Sequence, residues 1–491
     1  MSLARSVKDF ADAELGSVEI ESLSAPKKIR DALTGTFVLN EHEINILDLP
    51  VVQRLRRISQ TALASLTYPC TTHNRLQHTL GVTNIVTRVT SAFRYRRGYE
   101  TLLDDDDVRE LRIAALLHDI GHGPFSHASE EIIEYMPEMK KEAQKSKFSR
   151  VHSKPHEILS YYIVTSERFL EIVEKINRLY KLNIAVKRVA DMIVGNMKEH
   201  KREGYISDFL NGPFDADKLD YMPRDAYFSG LKMDVDIERI AHTCLVDLRG
   251  GDNPRRLCAD ISGAHNLEQI LFNKVLLHSS MYHHHKVRAA VCMIKAIFEI
   301  IRDKNLYPNE HSFDKAIDYL SIDDYDVLSS FRNEPKLKDT IDNIRNRRLL
   351  KRAVVLSRKT VRNKKNFQAL NKLMENPDRI AMLRKLILDE MKKKGFNCPL
   401  YDLWIDLPKP PSLNEASLCK VRITENDYVD LAEVFPADWW LTAYNETKWR
   451  GYVFCPPIEA IRNAAYDASK KVFQTIEGID LLPMAKTLAK I

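Results

Sequence analysis

No apolar run in this sequence approaches the roughly 20 residues that a membrane-spanning helix requires, so no membrane partner is expected. Cysteine is sparse and scattered: the seven residues Cys70, Cys244, Cys258, Cys292, Cys398, Cys419 and Cys455 contain no CxxC pair. That spacing excludes a thiolate zinc cage and reads as the reduced, buried thiols of a cytoplasmic protein. Glycine and proline, 16 and 20 in 491 residues, are too few for a low-complexity chain. No internal repeat is visible. The opening MSLARSVKDFADAELGS has no apolar h-region, so no secretory leader is expected. Charge of one sign is not in great excess either, since 74 basic against 68 acidic residues leave a net +6. Such mild basicity suits an anionic ligand and falls short of a dedicated nucleic-acid binder.

What remains is a globular composition, 44% hydrophobic and 29% charged, in a chain long enough for a large core and an accessory domain. Residues 40–360 read mostly as helix. Leu76, Leu80, Val86, Val89 and Phe93 form one apolar stripe, and Val108, Leu111, Ala115 and Leu116 begin another. The polar, basic stretch 139–155 reads as an exposed loop or insertion. After about residue 360 the texture changes. Tyr401–Leu407 and Lys420–Ile423, set around Pro-Lys-Pro-Pro, read as strands, and a last helix covers about 457–476. The expected fold class is mainly α, a helical core with a smaller α+β domain at the C-terminus. The expected division is an N-terminal segment 1–28, a main domain 29–360 with its core at about 70–230, and an accessory domain 361–491.

Titratable residues concentrate in four stretches. "AALLHDIGHGPFSHASEE" (114–131) sets His118 and Asp119 at the end of an apolar helix. Gly121 and Gly123 allow a tight turn, Pro124 cannot continue a helix, and Ser126 is expected to cap a new one. This geometry can aim His118, Asp119, His122 and His127 at one pocket, and imidazole with carboxylate suits a hydrolytic divalent metal. The bland reading of the His-Asp pair is a pair of satisfied polar residues. "HNRLQHTLGV" (73–82) offers His78 with Arg75 on the same helical face, a pairing that suits a phosphate ester. "FDADKLDYMPRDAYFSG" (214–230) places Asp217, Tyr221 and Asp225 four apart, with Lys218 beside them and Pro223 expected to kink the segment. Its alternative reading is a solvated acidic helix. In "NKVLLHSSMYHHHKVRAA" (273–290), Lys274, His278 and Tyr282 share a face. The run His283–His285 cannot chelate one ion, because helix neighbours point about 100° apart, and is read as mostly structural.

With these four stretches in order, the sequence resembles the HD superfamily of metal-dependent phosphohydrolases. Within it, the deoxynucleoside triphosphate triphosphohydrolase branch is the most similar, which includes bacterial HD hydrolases and mammalian SAM-and-HD-domain proteins. The resemblance runs from residue 29 to 355, and no SAM-like segment is expected here. It implies that His78, His118, Asp119 and Asp217 are the metal ligands, and that His122 and His127 are active-site histidines. His156 resembles a histidine facing the phosphates, and Glu130 stands where an aspartate orients a histidine. Arg75, Lys218 and Tyr221 resemble a triphosphate grip, and Gln60 and Asp225 resemble deoxyribose contacts. Lys274, aligned through the segment that carries Tyr282, replaces a phosphate-binding arginine and loses its bidentate geometry. Asp48, Gln53 and Arg56 resemble half of an effector-nucleotide site between subunits, and Arg347 and Lys351 resemble basic contributors to it. The alternative reading of these five is a charged helical surface. A neighbouring motif is altered to Asp31-Ala-Leu-Thr-Gly35.

The implied reaction is hydrolysis at the α-phosphorus of a deoxynucleoside triphosphate, releasing deoxynucleoside and triphosphate. The implied cofactor is Mn, Fe, Zn, Ni or Mg, and the implied assembly is a dimer or tetramer in the cytoplasm. Two alternatives stay open at this point. One is an HD enzyme acting on a monophosphate, a cyclic nucleotide or a guanosine polyphosphate. The other is a nucleic-acid binder with a vestigial metal site, which the basic segments 344–352 and 357–366 motivate.

Overall fold

The computed structural model describes residues 2–149, 152–196, 203–247, 249, 255–306 and 311–490. Two helices carry the apolar stripes, Arg75–Arg94 and Asp105–Leu117, and they pack on each other. Each begins with a capping box. Asn74 and Gln77 exchange side-chain-to-amide bonds at 3.0 and 2.9 Å, and Asp104 and Asp107 do the same at 2.7 and 2.9 Å. Asp105, Asp106 and Asp107 crowd the first turn of the second helix, where the helix dipole favours negative charge. Leu76, Val86, Val89, Phe93, Leu111, Ala115 and Leu116 are all buried, as their spacing requires.

Helix Ala216–Ser229 lies against Arg75–Arg94 and runs unbroken through Pro223. Behind the turn that follows Asp105–Leu117 runs helix Pro155–Val164. The approach there is close: a Cβ on Gly121 would stand 2.2 Å from the His156 carbonyl oxygen. Ser160 fastens the two, accepting from the Gly121 amide at 2.9 Å and donating to the His118 carbonyl at 2.8 Å. Helices Ala264–Leu277 and His285–Asp303 complete the surroundings of the site.

The strands form three small sheets. Lys27–Asp31 and Gly35–Leu39 make an antiparallel hairpin with Asp31 opposite Gly35. A four-stranded sheet runs Cys244–Val246, Leu257–Asp260, Lys420–Arg422, Tyr428–Asp430, with its central pair parallel and its outer pairs antiparallel. In the third sheet Gly451–Cys455, buried at every position, is flanked by Lys351–Leu356 and Trp404–Asp406. Around that sheet, Leu356, Leu370, Leu383, Ile387, Val453 and Phe473 belong to a second hydrophobic core. The protein is thus mainly α with a smaller α+β part, as expected from its sequence.

Two local readings need correction, and one element had no reading. The stretch 139–155 is not an open loop: it carries the end of helix Pro137–Ala143 and helix Ser146–Ser149, and it buries Met139 and Phe148. Its lysines masked two anchoring apolar side chains; Arg150 and Val151 lie outside the described residues. Strand character in Tyr401–Leu407 is limited to Trp404–Asp406, because a 3-10 turn at Leu400–Asp402 precedes it. The hairpin 27–39 escaped notice, since its first strand alternates exposed charges with little apolar signal.

Phe298 is fully buried, with its ring 5.1 Å from Phe313 and 4.9 Å from Tyr319. Phe298→Ala is expected to cost about 3–5 kcal/mol in denaturant unfolding; a cost under about 1 kcal/mol would contradict this packing.

Candidate metal centre

His78 sits one turn into its helix, His118 ends the next, and Asp119 follows it. Asp217 lies in the first turn of helix Ala216–Ser229, which Asp215 caps by accepting from the Lys218 amide at 2.9 Å. Packing of these three segments brings the four side chains together. His78 Nε2 is 3.0 Å from Asp217 Oδ1 and 3.7 Å from Asp119 Oδ2. His118 Nε2 is 3.4 Å from Asp119 Oδ1 and 4.0 Å from Asp217 Oδ1.

Both imidazoles are anchored through Nδ1. His78 Nδ1 bonds Asp220 Oδ2 at 2.8 Å, and His118 Nδ1 bonds the Ala115 carbonyl at 2.8 Å. Such anchoring fixes the tautomer and leaves Nε2 as the free ligand atom. Each Nε2 is buried without an aligned hydrogen-bond partner. Burial alone would depress the His78 pKa, but Asp217 and Asp220 prevail and push it up to about 10. Two imidazole nitrogens facing two carboxylates are a donor set that fits a first-row divalent cation.

The rest of the turn surrounds this cluster. Burial works against the Asp119 carboxylate, yet Arg75, His118 and His122 hold its pKa well below the usual range. Arg75 donates through Nη1 to Asp119 at 2.7 Å and through Nε to Ser126 Oγ at 2.8 Å; its Nη2 stands 3.5 Å from His127 Nε2. Ser126 therefore does not cap the helix it precedes. Its φ of 51° turns the hydroxyl inward, where it donates to the Ser59 carbonyl at 2.6 Å. His122 stacks on His156 with ring centres 3.9 Å apart, and burial together with Arg75 keeps it neutral. Glu130 bridges two histidines, accepting from His127 Nδ1 at 2.7 Å and from His156 Nδ1. Although burial opposes it, His156 and the bonds from both rings hold this carboxyl well below its usual range. His127 is the open member of the set, with 64% of its side chain exposed.

The remaining candidates divide by what already holds them. Lys218 Nζ reaches Asp215 at 2.6 Å, and Lys274 Nζ reaches Glu415 at 2.6 Å. Asp225 accepts from the Tyr282 hydroxyl and pairs with His73 Nε2 at 2.7 Å. Tyr221 is half-buried; desolvation and the nearby Asp217, Glu415 and Asp215 keep its hydroxyl protonated. Gln60 is buried with Oε1 unpartnered. Asp48 lies 3.8 Å from Lys27, Gln53 accepts from Arg56 Nε at 2.7 Å, Arg347 donates to the Leu66 carbonyl at 2.6 Å, and Lys351 is exposed. Among the described residues, Asp48, Gln53 and Arg56 share no bond with Arg347 or Lys351.

Sequence reasoning missed Asp220, His73, Asp215, Glu415 and two residues that brace the turn. Arg54 donates to the carbonyls of His122, Tyr319 and Ile322 at 2.7, 2.9 and 2.8 Å. Asp324 accepts from the Ser59 and Phe125 amides at 2.9 and 2.6 Å. Asp220 had a signal, three residues after Asp217 on one helical face; Glu415 and Asp324 had none, being far off in the chain.

A family model described as the HD domain matches residues 75–224, and one described as the HD-associated region matches 235–476. An uncharacterized protein of Methanocaldococcus jannaschii is 30% identical over 319 residues, 64% of this chain and 57% of that one. The deoxynucleoside triphosphate triphosphohydrolase SAMHD1 of Homo sapiens is 27% identical over 341 residues, 64% of this chain and 52% of that one. The SAMHD1 homolog of Dictyostelium discoideum is 23% identical over 383 residues, 77% and 66% of the two chains. The chain thus spans between half and two thirds of these relatives' length. A hypothetical protein from Aquifex aeolicus has the same fold, with a TM-score of 0.63 over 90% of this chain and 99% of that one at 21% identity. No helix among the described residues is long and apolar enough to cross a membrane.

Chelation gives the first test of the centre. Stripping divalent metal with EDTA is expected to lower the melting temperature, and returning metal to restore it, as binding to the native state alone demands. A melt indifferent to both would contradict a bound cation.

Proposed function

Since the chain belongs to the HD superfamily of metal-dependent phosphohydrolases, we propose that it hydrolyses deoxynucleoside triphosphates to deoxynucleoside and triphosphate. The observation that carries this reading is the convergence of His78, His118, Asp119 and Asp217 beside a row of cationic and tyrosyl side chains. Two relatives whose names state that activity add support.

In this reading His78, His118, Asp119 and Asp217 hold the cation, which supplies Lewis acidity and activation of water when bound. Arg75 grips a phosphate oxygen with the one nitrogen it does not spend on Asp119 or Ser126. Lys218 and Lys274 exchange Asp215 and Glu415 for phosphate oxygens, and Tyr221 adds a neutral donor. Donors already oriented toward developing negative charge lower the barrier most. Glu130 fixes the rings of His127 and His156, so that His127 Nε2 can deliver a proton to the departing sugar oxygen. Gln60 Oε1 accepts from a sugar hydroxyl, and Asp225, aligned by His73 and Tyr282, closes the sugar side.

The division into 29–360 and 361–491, assembly into a dimer or tetramer, and an effector nucleotide at Asp48, Gln53, Arg56, Arg347 and Lys351 belong to the same proposal. Incubation with each deoxynucleoside triphosphate and a divalent metal is expected to release inorganic tripolyphosphate. Release of pyrophosphate or orthophosphate alone would overturn release of triphosphate by hydrolysis at the α-phosphorus. His127→Ala is expected to lower kcat by about 10²–10⁴, while Gln60→Ala raises KM for deoxynucleotides; turnover unchanged in both would remove these residues from the site.

A further inference from the structure

Asp220 is wholly buried between His78 and Arg224. Its Oδ2 accepts from His78 Nδ1 at 2.8 Å and from Arg224 Nε at 2.7 Å, while Oδ1 accepts from Arg224 Nη2 at 2.8 Å. Arg224, 1% exposed, continues the chain outward, donating from Nη1 to Asp31 Oδ1 at 2.8 Å and from Nη2 to Asp31 Oδ2 at 3.1 Å. Asp31 in turn closes the hairpin turn. Its Oδ2 accepts from the Thr34 amide at 2.7 Å, the Leu33 amide at 3.0 Å and Thr34 Oγ1 at 2.9 Å. The space for this network is made by Gly81, one turn beyond His78, where a Cβ would fall 2.0 Å from Asp220 Oδ1 and 2.2 Å from Arg224 Nη2.

Buried ion networks cost desolvation and add little stability of their own. All three guanidinium nitrogens of Arg224 are nonetheless committed to two carboxylates that lead to a ligand at one end and a turn at the other. A carboxylate behind a ligating imidazole sets its orientation and basicity, and its loss weakens metal binding by about 10–100-fold.

We infer that Asp220, Arg224 and Asp31 are positioning residues forming a relay that ties metal affinity at His78 to closure of the hairpin turn 31–35. The inference rests on His78 being a ligand of the cation. Because coupling is reciprocal, metal binding also steadies the turn. The altered motif Asp31-Ala-Leu-Thr-Gly35 keeps the aspartate the relay needs and uses Thr34 to close the turn.

The test uses the full chain stripped of metal and titrated with Mn²⁺ by calorimetry, with hydrogen exchange followed at the Leu33 and Thr34 amides. His78→Ala is expected to abolish binding. Arg224→Lys, which keeps the charge but loses the fork, and Asp31→Asn are expected to weaken binding about 10–100-fold. Wild-type exchange at Leu33 and Thr34 is expected to slow on adding Mn²⁺, and exchange in Arg224→Lys is not. Thr34→Ala removes one bond from a half-buried turn and serves if Arg224→Lys does not fold; it is expected to weaken binding in the same direction. Wild-type affinity in Asp31→Asn and Thr34→Ala, with binding lost in His78→Ala, would overturn the relay alone. Unchanged binding in His78→Ala would overturn the ligand assignment and the relay with it.

Discussion

Two carboxylates, Asp119 and Asp217, face each other across a buried space shared with two imidazoles, and the fold is organised around that concentration of negative charge. An interior tolerates such charge only when it is paired and hydrogen-bonded. Arg75 answers Asp119 from the same helix that supplies His78, so one helix delivers both a ligand and its counter-charge. The chain therefore depends on the packing of Arg75–Arg94 against Asp105–Leu117 and Ala216–Ser229. Without that packing no local motif would assemble the centre.

A pattern repeats around the site: cationic side chains are held in reserve by acids. Lys218 rests on Asp215 and Lys274 on Glu415, while Glu130 bridges the rings of His127 and His156. Under the proposed function, an anionic ligand exchanges partners with Lys218 and Lys274, so less solvent has to reorganise. The turn itself is braced from behind. Arg54 and Asp324 fasten segment 54–59 to the backbone of residues 122–126, so Gln60 and the histidine turn are set by the same frame.

Chemistry was legible in the sequence wherever residues of one role lie within a turn or two of each other. His118, Asp119 and His122 fall on a single bend, and the i, i+3 relation of Arg75 and His78 needs only helical geometry. The apolar stripes likewise declared two helices. What stayed hidden was long-range. Nothing near Lys274 announces Glu415, and nothing near Ser59 announces Asp324. Ser126 misled because it occupies a capping position with a capping residue type, while tertiary contacts to Arg75 and Ser59 claim its hydroxyl instead. The stretch 139–155 misled because its many lysines outnumber the two apolar anchors that fix it.

The four-stranded sheet draws two of its strands from residues 244–260 and two from 420–430, joined at its centre by the parallel pairing of Cys258 with Lys420. Cutting the chain near residue 360 would strip Leu257–Asp260 of its neighbour Lys420–Arg422, baring a row of amide and carbonyl groups that invite aggregation. Whatever the C-terminal region contributes to chemistry, its strands complete a sheet that the part preceding it begins.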